Sequence, residues 1–210
     1  MVLLGIMLLL GFPLSAQTYP GGEFFGGASF ASANVGGRAD FFGWQISAAA
    51  NPLRCLRLVG DFGGQHRLSN LTYQGQRITL TNYQVLFGPQ WTRRSRRTTL
   101  FANTVAGVAA THYGIPSGTL MVPAGALPAE AAVVAVDFGF ATSLGAGMDV
   151  NTGRFFAIRV FQADYVLTHL SHDLPQLSLI RDQLPNIGHW QHSFRLGFGL
   201  VFKLGQRSGR

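Results

Sequence analysis

The stretch HSFRLGFGLVFKL, residues 192–204, alternates large apolar side chains with small or polar ones. Successive side chains on a β-strand point to opposite faces, so a period of two predicts a strand with one apolar and one polar face. The apolar face carries His192, Phe194, Leu196, Phe198, Leu200, Phe202 and Leu204. The opposite face carries Ser193, Arg195, Gly197, Gly199, Val201 and Lys203. The stretch therefore predicts a strand that separates an apolar environment from a polar one.

The same alternation predicts seven further strands, at residues 22–32, 41–51, 55–65, 81–93, 99–113, 137–150 and 154–168. Two of them are irregular. Residues 99–113 mix apolar and polar side chains on both faces. In the other, Arg159 lies on the opposite parity from Gln162 and Asp164. A β-bulge between Arg159 and Gln162 adds one residue and would bring all three side chains to the same face.

Composition limits the environment in which these strands can lie. Of the 210 residues, 47% are apolar and only 12% are charged, whereas a soluble domain carries about 25% charged residues. Beyond the N-terminus, no apolar run reaches the length that a membrane-spanning helix needs. The single cysteine, Cys55, excludes an intramolecular disulfide and is interpreted as a small apolar filler. This combination favours strands that lie in a membrane.

Connection lengths complete the prediction of the fold. Short turns at 51–54, 94–98 and 151–153 alternate with longer connections at 33–40, 66–80, 114–136 and 169–189. Strands in hydrocarbon must pair all their backbone groups, which requires a closed sheet. The predicted fold is therefore all-β, a closed antiparallel eight-stranded transmembrane β-barrel with short periplasmic turns and longer extracellular loops. A soluble barrel would carry many charges on its outside, yet Lys203 is the only lysine.

The N-terminus is interpreted as a targeting segment. Residues 2–14 form an apolar run as long as the core of a signal peptide, and Leu14, Ser15 and Ala16 fit a small-residue cleavage site. A basic residue is missing before the apolar run, and the alternative is a short anchor helix. We predict a signal peptide at residues 1–16 and an outer-membrane barrel domain at 17–210.

Seven charged residues lie on the polar face of the predicted strands: Glu23, Arg57, Asp61, Asp149, Arg159, Asp164 and Arg195. In a narrow lumen, unpaired charges are costly. An eight-stranded lumen is only wide enough for side chains to fill. These residues therefore predict a polar network that plugs the barrel. The alternative is that they line a charged, ion-selective pore.

Other candidate sites are weaker. His169, Ser171, His172 and Asp173 cluster near the last long connection, but adjacency in sequence is not triad geometry. His169 with His172, and His189 with His192, are spaced by three, which places their side chains on opposite faces of a strand. We therefore predict no catalytic, cofactor-binding or metal-binding residues. The basic turn at residues 93–97 is interpreted as a solvated turn, without nucleic-acid binding.

Several segments together resemble the family of OmpA-like eight-stranded outer-membrane barrels of Gram-negative bacteria. They are FFGG at residues 24–27, GWQ at 43–45, LVGDFGG at 58–64, LFGP at 86–89, GAGMDV at 145–150, and AIR with QADY between 157 and 165. The final strand also resembles the assembly signal of the family, a polar residue and glycine followed by two spaced apolar positions. Arg195, Gly197, Leu200 and Phe202 match it.

The resemblance implies an outer-membrane location and insertion by the barrel-assembly machinery. The expected partners are outer-membrane lipid and lipopolysaccharide, and the expected state is a monomer. Because a fold does not fix a function, three functions remain open. The first is a non-enzymatic barrel with a filled lumen that supports envelope integrity or surface contacts through its long loops. The second is a small porin-like channel for ions or solutes, and the third is a lipid hydrolase.

Overall fold

The computed structural model describes residues 19–34, 38–67, 71–73, 76–114, 134–171 and 189–205. Nine β-strands account for most of these residues. They are β1 (Gly22–Asn34), β2 (Arg38–Ala50), β3 (Leu56–Arg67), β4 (Leu71–Tyr73), β5 (Gln76–Arg94), β6 (Thr98–Gly114), β7 (Val134–Asn151), β8 (Phe156–Leu170) and β9 (Trp190–Leu204). Within the described ranges, no helix is long and apolar enough to cross a membrane. The predicted signal peptide, residues 1–16, lies outside the described residues.

Eight of the strands form a closed antiparallel barrel. Each strand pairs with its neighbour in the chain, and β1 pairs with β9 from Gly22↔Leu204 to Ala33↔Ser193. The barrel is completed by the pairing of β3 with β5. The short β4 lies outside the barrel ring, because it pairs only with the first residues of β5. The predicted fold class, a closed antiparallel eight-stranded barrel, is therefore confirmed.

Two of the predicted long connections are shorter than predicted. Pairing continues from Asn34↔Arg38 into β1 and β2, so residues 33–40 are mostly strand. Residues 66–80, predicted as a loop, contain β4 and the beginning of β5. The apolar alternation stops before the backbone ladder does. The ladder needs only backbone partners, whereas the alternation requires an apolar environment on one face of the strand. The short turns, at residues 51–55, 95–97 and 152–155, lie where predicted.

The apolar faces of the strands form the outer surface. On β9, every residue predicted for the apolar face is exposed, while Arg195, Gly197 and Val201 are buried. Exposed phenylalanine and leucine side chains occur on the other strands as well, and Phe138 and Leu144 are each 63% exposed. Soluble monomers rarely expose contiguous apolar patches of this extent. The belt has the character of a lipid-facing surface.

The irregularity predicted in β8 is a β-bulge. The pairing of β8 with β9 shifts register between Arg159 and Gln162. Val160 and Phe161 are consecutive exposed residues, while Arg159 and Gln162 on either side are both buried. The bulge therefore places Arg159, Gln162 and Asp164 on the inner face, as predicted.

The mixed pattern of β6 has a different cause. Phe101, Val105 and Ala109 are buried on the inner face together with Asn103 and Thr111. The apolar members belong to the interior, where Val105 and Ala109 pack in a cluster that also contains Val59, Leu86 and Ala141. Part of the lumen is thus apolar, and alternation between apolar and polar residues fails in the strand that lines it.

Closure between the first and last strands can be tested by disulfide formation. In a Cys55→Ser background, Ala28→Cys with Phe198→Cys should form a disulfide on oxidation, because these residues are direct partners. Directly opposed Cα atoms lie about 4.5–5.5 Å apart, within the range that a disulfide bridges. Non-reducing gel mobility of the folded protein is the measurement. The matched control pairs Ala28→Cys with Phe194→Cys, whose partner is Ser32, and should remain reduced. Equal cross-linking of both pairs would contradict the register.

Candidate functional site

All seven charged residues predicted for the polar face lie inside the barrel. Their exposures range from 0% for Asp164 to 5% for Asp61. They come from five strands: Glu23 on β1, Arg57 and Asp61 on β3, Asp149 on β7, Arg159 and Asp164 on β8, and Arg195 on β9. Strand alternation turns these side chains inward, and the bulge in β8 keeps its two members on the same side. The structure brings the seven residues together in a chain of contacts.

One end of the chain of contacts is centred on Arg195. Its guanidinium Nη2 lies 2.8 Å from Asp61 Oδ2 and 2.8 Å from Asp164 Oδ2, and its Nε donates to the same Asp164 oxygen at 3.0 Å. Two amides complete the group, since Gln45 donates to Asp61 and Gln162 donates to Asp164, both at 2.8 Å. Because β1 and β2 separate β9 from β3 in the sheet, the contact of Arg195 with Asp61 ties walls that are not neighbours.

The other end is centred on Asp149. Arg159 Nε donates to Asp149 Oδ1 at 2.8 Å, and Arg57 Nη1 lies 4.0 Å from Asp149 Oδ2. Arg57 also pairs with Glu23 at 3.0 Å. Arg159 Nη1 donates to Gln162 Oε1 at 2.7 Å, which links this end to the group around Arg195. The network is therefore continuous along the interior.

Two inward phenylalanines support the network. The guanidinium carbon of Arg159 lies 4.2 Å from the ring centroid of Phe25 and 4.4 Å from that of Phe101. A cation held against an aromatic face is stabilised by the ring quadrupole, more strongly where water is excluded. Sequence reasoning assigned no role to these rings. Their inward parity was readable, but apolar side chains on an inner face carry no signal of what they contact.

Arg94 is an eighth member that the sequence reasoning missed. Its Nη2 lies 3.4 Å from Glu23 Oε1, and its Nη1 donates to the carbonyl oxygen of Arg54. The prediction placed Arg94 in a turn, whereas it is the last residue of β5. Its inward orientation follows the parity of Gln90 and Thr92, so extending that alternation by two residues was the available signal. With Arg94, four arginines face four carboxylates.

The interior is thus filled in two ways, by charge-paired side chains and by the apolar cluster around Leu86 and Val105. Charges withdrawn from water are tolerated when they are paired and hydrogen-bonded. No group of three or more histidine, cysteine or acidic residues that could hold a metal occurs in the described part of the chain. The arrangement can brace opposite walls and obstruct passage through the lumen.

The remaining candidate residues lie elsewhere. Ser171 donates to Asp137 at 3.3 Å and to the carbonyl oxygen of Phe138 at 2.9 Å, at the barrel end opposite the short turns. His172 and Asp173 lie outside the described residues. In the predicted assembly signal, Arg195 and Gly197 are buried inside the barrel, while Leu200 and Phe202 are exposed on its outer face. That role for these four residues stays a prediction.

Comparison with solved structures identifies barrels of the same construction. Neisserial surface protein A matches with a TM-score of 0.56 and 12% identity, over 90% of this chain and 99% of its own. Ail, the attachment invasion locus protein of Yersinia pestis, matches with a TM-score of 0.53 and 15% identity, over 88% of this chain and 100% of its own.

The chain has the fold of an eight-stranded outer-membrane β-barrel. The resemblance drawn from the sequence is confirmed at the level of the fold. No protein-family model and no curated protein matches the sequence. Since identities of this size show the fold alone, what the barrel does has to be argued from its own residues.

Removing Arg195 tests the network. Arg195→Gln leaves Asp61 and Asp164 buried without their cation, and breaking a buried pair in this way costs about 3–5 kcal/mol. We expect the free energy of unfolding, measured in urea with lipid vesicles, to fall by that amount. Arg97→Gln on an exposed turn is the control and should change it by less than about 0.5 kcal/mol. A similar small change for both variants would show that the network does not stabilise the barrel.

Proposed function

We propose that this chain is an outer-membrane protein of a Gram-negative bacterium that works as a closed, non-enzymatic barrel. Its role is to reinforce the envelope and to present its long connections at the cell surface. The observation that carries the proposal is the filled interior, in which four arginines and four carboxylates pair inside the lumen. The exposed apolar belt and the fold support the membrane location.

Export and assembly form part of the same proposal. The apolar segment at residues 1–16 would direct export and be cleaved, and the outward Leu200 and Phe202 on β9 would present the assembly signal to the barrel-assembly machinery. Outer-membrane phospholipid and lipopolysaccharide would then surround the apolar belt. The barrel is proposed to act as a monomer, because its eight strands close on themselves and, among the described residues, only the three-residue β4 has an unpaired edge.

A channel is the second candidate, and the interior argues against it. Arg57, Arg159 and Arg195 are each at most 4% exposed, so water reaches very little of these side chains. Conduction would require the ion pairs to separate, leaving charges unpaired in a narrow lumen. The filled interior favours a plug over a pore.

The surface role draws on the position of the long connections. Residues 115–133 join β6 to β7 and residues 172–188 join β8 to β9, both at the end opposite the short turns. A braced barrel is a suitable platform for connections that bind other surfaces, because its rigid strands fix where each connection begins and ends. The neighbour Ail is named for attachment and invasion, and we propose attachment as the class of activity for this chain.

Planar-bilayer recording tests the plug. The purified protein should give no discrete conductance steps. Replacing an ion pair as a pair, Glu23→Ser with Arg57→Ser, removes bulk while keeping the interior neutral, and should produce measurable steps. The matched control is Arg38→Ser with Asp40→Ser, which is also neutral but lies at the other end of the barrel, and it should stay silent. Stable steps from the unmodified protein would favour the porin-like alternative.

Trimming a long connection tests the surface role. Replacing residues 115–133 with a short Gly-Ser linker should leave the heat-modifiable gel mobility of the barrel unchanged, because the strands remain. Cells that display this variant should lose attachment to host-cell layers, while their resistance to detergent stays normal. The control inserts the same linker at Gly153, in an exposed short turn. If attachment survives trimming of 115–133 and, separately, of 172–188, the surface role is wrong and the envelope role remains.

A further inference from the structure

The barrel opens at its short-turn end into a cavity of about 500 Å³. We call it the short-turn vestibule. Its walls come from the segment before β1, the three short turns and the end of β9. Its lining includes a single carboxylate, Glu23, and five cationic side chains, which are Arg54, Arg94, Arg96, Arg154 and Lys203.

Glu23 can offset at most one of the five cationic charges of the vestibule, and its two oxygens are already shared. Oε2 lies 3.0 Å from Arg57, and Oε1 lies 3.4 Å from Arg94. Asn51 Nδ2 donates to Oε1 as well, at 3.4 Å. The carboxylate therefore belongs to the interior network. The cavity lining therefore holds more cations than carboxylates.

Among the described residues, the charges outside the interior network are concentrated at this end. The interior network of four arginines and four carboxylates is neutral. Away from the short turns, the other described charged residues are three arginines and two carboxylates: Arg38, Arg67, Arg77, Asp40 and Asp137. The short turns and the end of β9 carry six cations and no further carboxylate: Arg54, Arg93, Arg96, Arg97, Arg154 and Lys203. The short-turn end therefore has a large excess of positive charge.

Two cations of the vestibule, Arg94 and Lys203, are held in place by contacts with neighbouring residues. The Arg94 guanidinium lies 5.7 Å from the ring centroid of Tyr19 and donates to the carbonyl oxygen of Arg54. Lys203 Nζ donates to Asn151 Oδ1 at 2.6 Å. Arg96 and Arg154 are exposed at the rim, while Arg94 is largely buried at the base. Cations at two depths around a cavity suit a ligand that carries more than one negative group.

We propose that the short-turn vestibule binds a multivalent phosphate anion, a ligand with at least two phosphate groups. One group contacts Arg96 and Arg154 at the rim, and another contacts Arg94 and Lys203 below. Guanidinium groups match phosphate oxygens with paired hydrogen bonds, and Ser95 and Thr99 in the lining supply hydroxyl donors. The cavity falls within the size range of small-molecule sites, about 300–1,000 Å³, and a single phosphate ion would leave much of it empty.

Two sources could present this chemistry. One is a soluble polyphosphate on the same side of the membrane as the short turns. The other is a lipid whose headgroup carries two phosphates, reached from the leaflet that surrounds this end of the barrel. The same side chains would bind either, so the experiment has one arm for each source.

The soluble arm uses the full chain in nanodiscs of phosphatidylcholine, with tripolyphosphate titrated by calorimetry. We expect saturable binding of one ligand per barrel that weakens as salt is raised, because part of the attraction is screened. Arg96→Gln with Arg154→Gln should weaken binding by about tenfold or more. Arg93→Gln with Arg97→Gln removes the same charge from the same end without touching the cavity lining, and should weaken binding by less than about threefold.

The lipid arm uses nanodiscs that contain cardiolipin. If the lipid is the occupant, native mass spectrometry should find one cardiolipin retained per barrel, tripolyphosphate should no longer bind, and the Arg96 and Arg154 double variant should lose the lipid. Retention equal to that of the Arg93 and Arg97 control would indicate nonspecific attraction.

Site-specific binding in either arm supports the proposal and identifies the source. The proposal is wrong if neither tripolyphosphate nor cardiolipin binds at a stoichiometry of one. It is equally wrong if the two double variants weaken binding to the same extent, because the effect then follows overall charge and not the vestibule. Heat-modifiable gel mobility of each variant shows that the barrel is folded before binding is measured.

Discussion

The interior of this barrel depends on the pairing of charges that water reaches poorly. An ionised side chain in a narrow lumen is stable only if an opposite charge and hydrogen bonds replace its hydration. Arg195 meets this requirement through Asp61 and Asp164, and Arg159 meets it through Asp149 and two aromatic rings. Since these partners lie on different strands, pairing the charges also joins the walls. The same ion pairs therefore fill the lumen and brace the barrel.

The faces of the strands could be predicted because the surroundings of the barrel and its lumen favour different side chains, and the two act on alternate residues. The outer surface carries phenylalanine and leucine, while the lumen favours small or polar side chains, so a period of two is visible along β9 and most of β5. The alternation predicts the two faces less well where the lumen accepts apolar side chains. Along β6, Val105 and Ala109 pack in an apolar part of the lumen, and the alternation no longer separates inside from outside. Strand ends were also missed, since backbone pairing such as Asn34↔Arg38 continues beyond the apolar belt.

The candidate site was readable as a set of residues but not as a set of contacts. Parity places Arg57 and Asp149 inside, yet only the tilt and stagger of the strands decide that they approach one another. Arg94 was missed for a related reason, because four arginines within five residues resemble a solvated turn. The bulge in β8 was predictable from charge alone, since without it either Arg159 or the pair Gln162 and Asp164 would face the apolar belt. Polar and charged side chains that would be unfavourable on the apolar face thus indicate where the strand contains a bulge.

The low content of charge and the high net charge of the chain have different causes. The apolar belt limits where any charge can lie, which leaves the lumen and the two ends. The lumen requires neutrality, and its four arginines and four carboxylates provide it. The ends of the barrel lie outside both the apolar belt and the lumen, so an excess of positive charge can remain there. Mutual repulsion opposes crowding arginines around one mouth, most of all where Arg94 and Lys203 are partly withdrawn from water. The cations that line this mouth outnumber its one carboxylate, Glu23, and a bound anion would reduce their mutual repulsion.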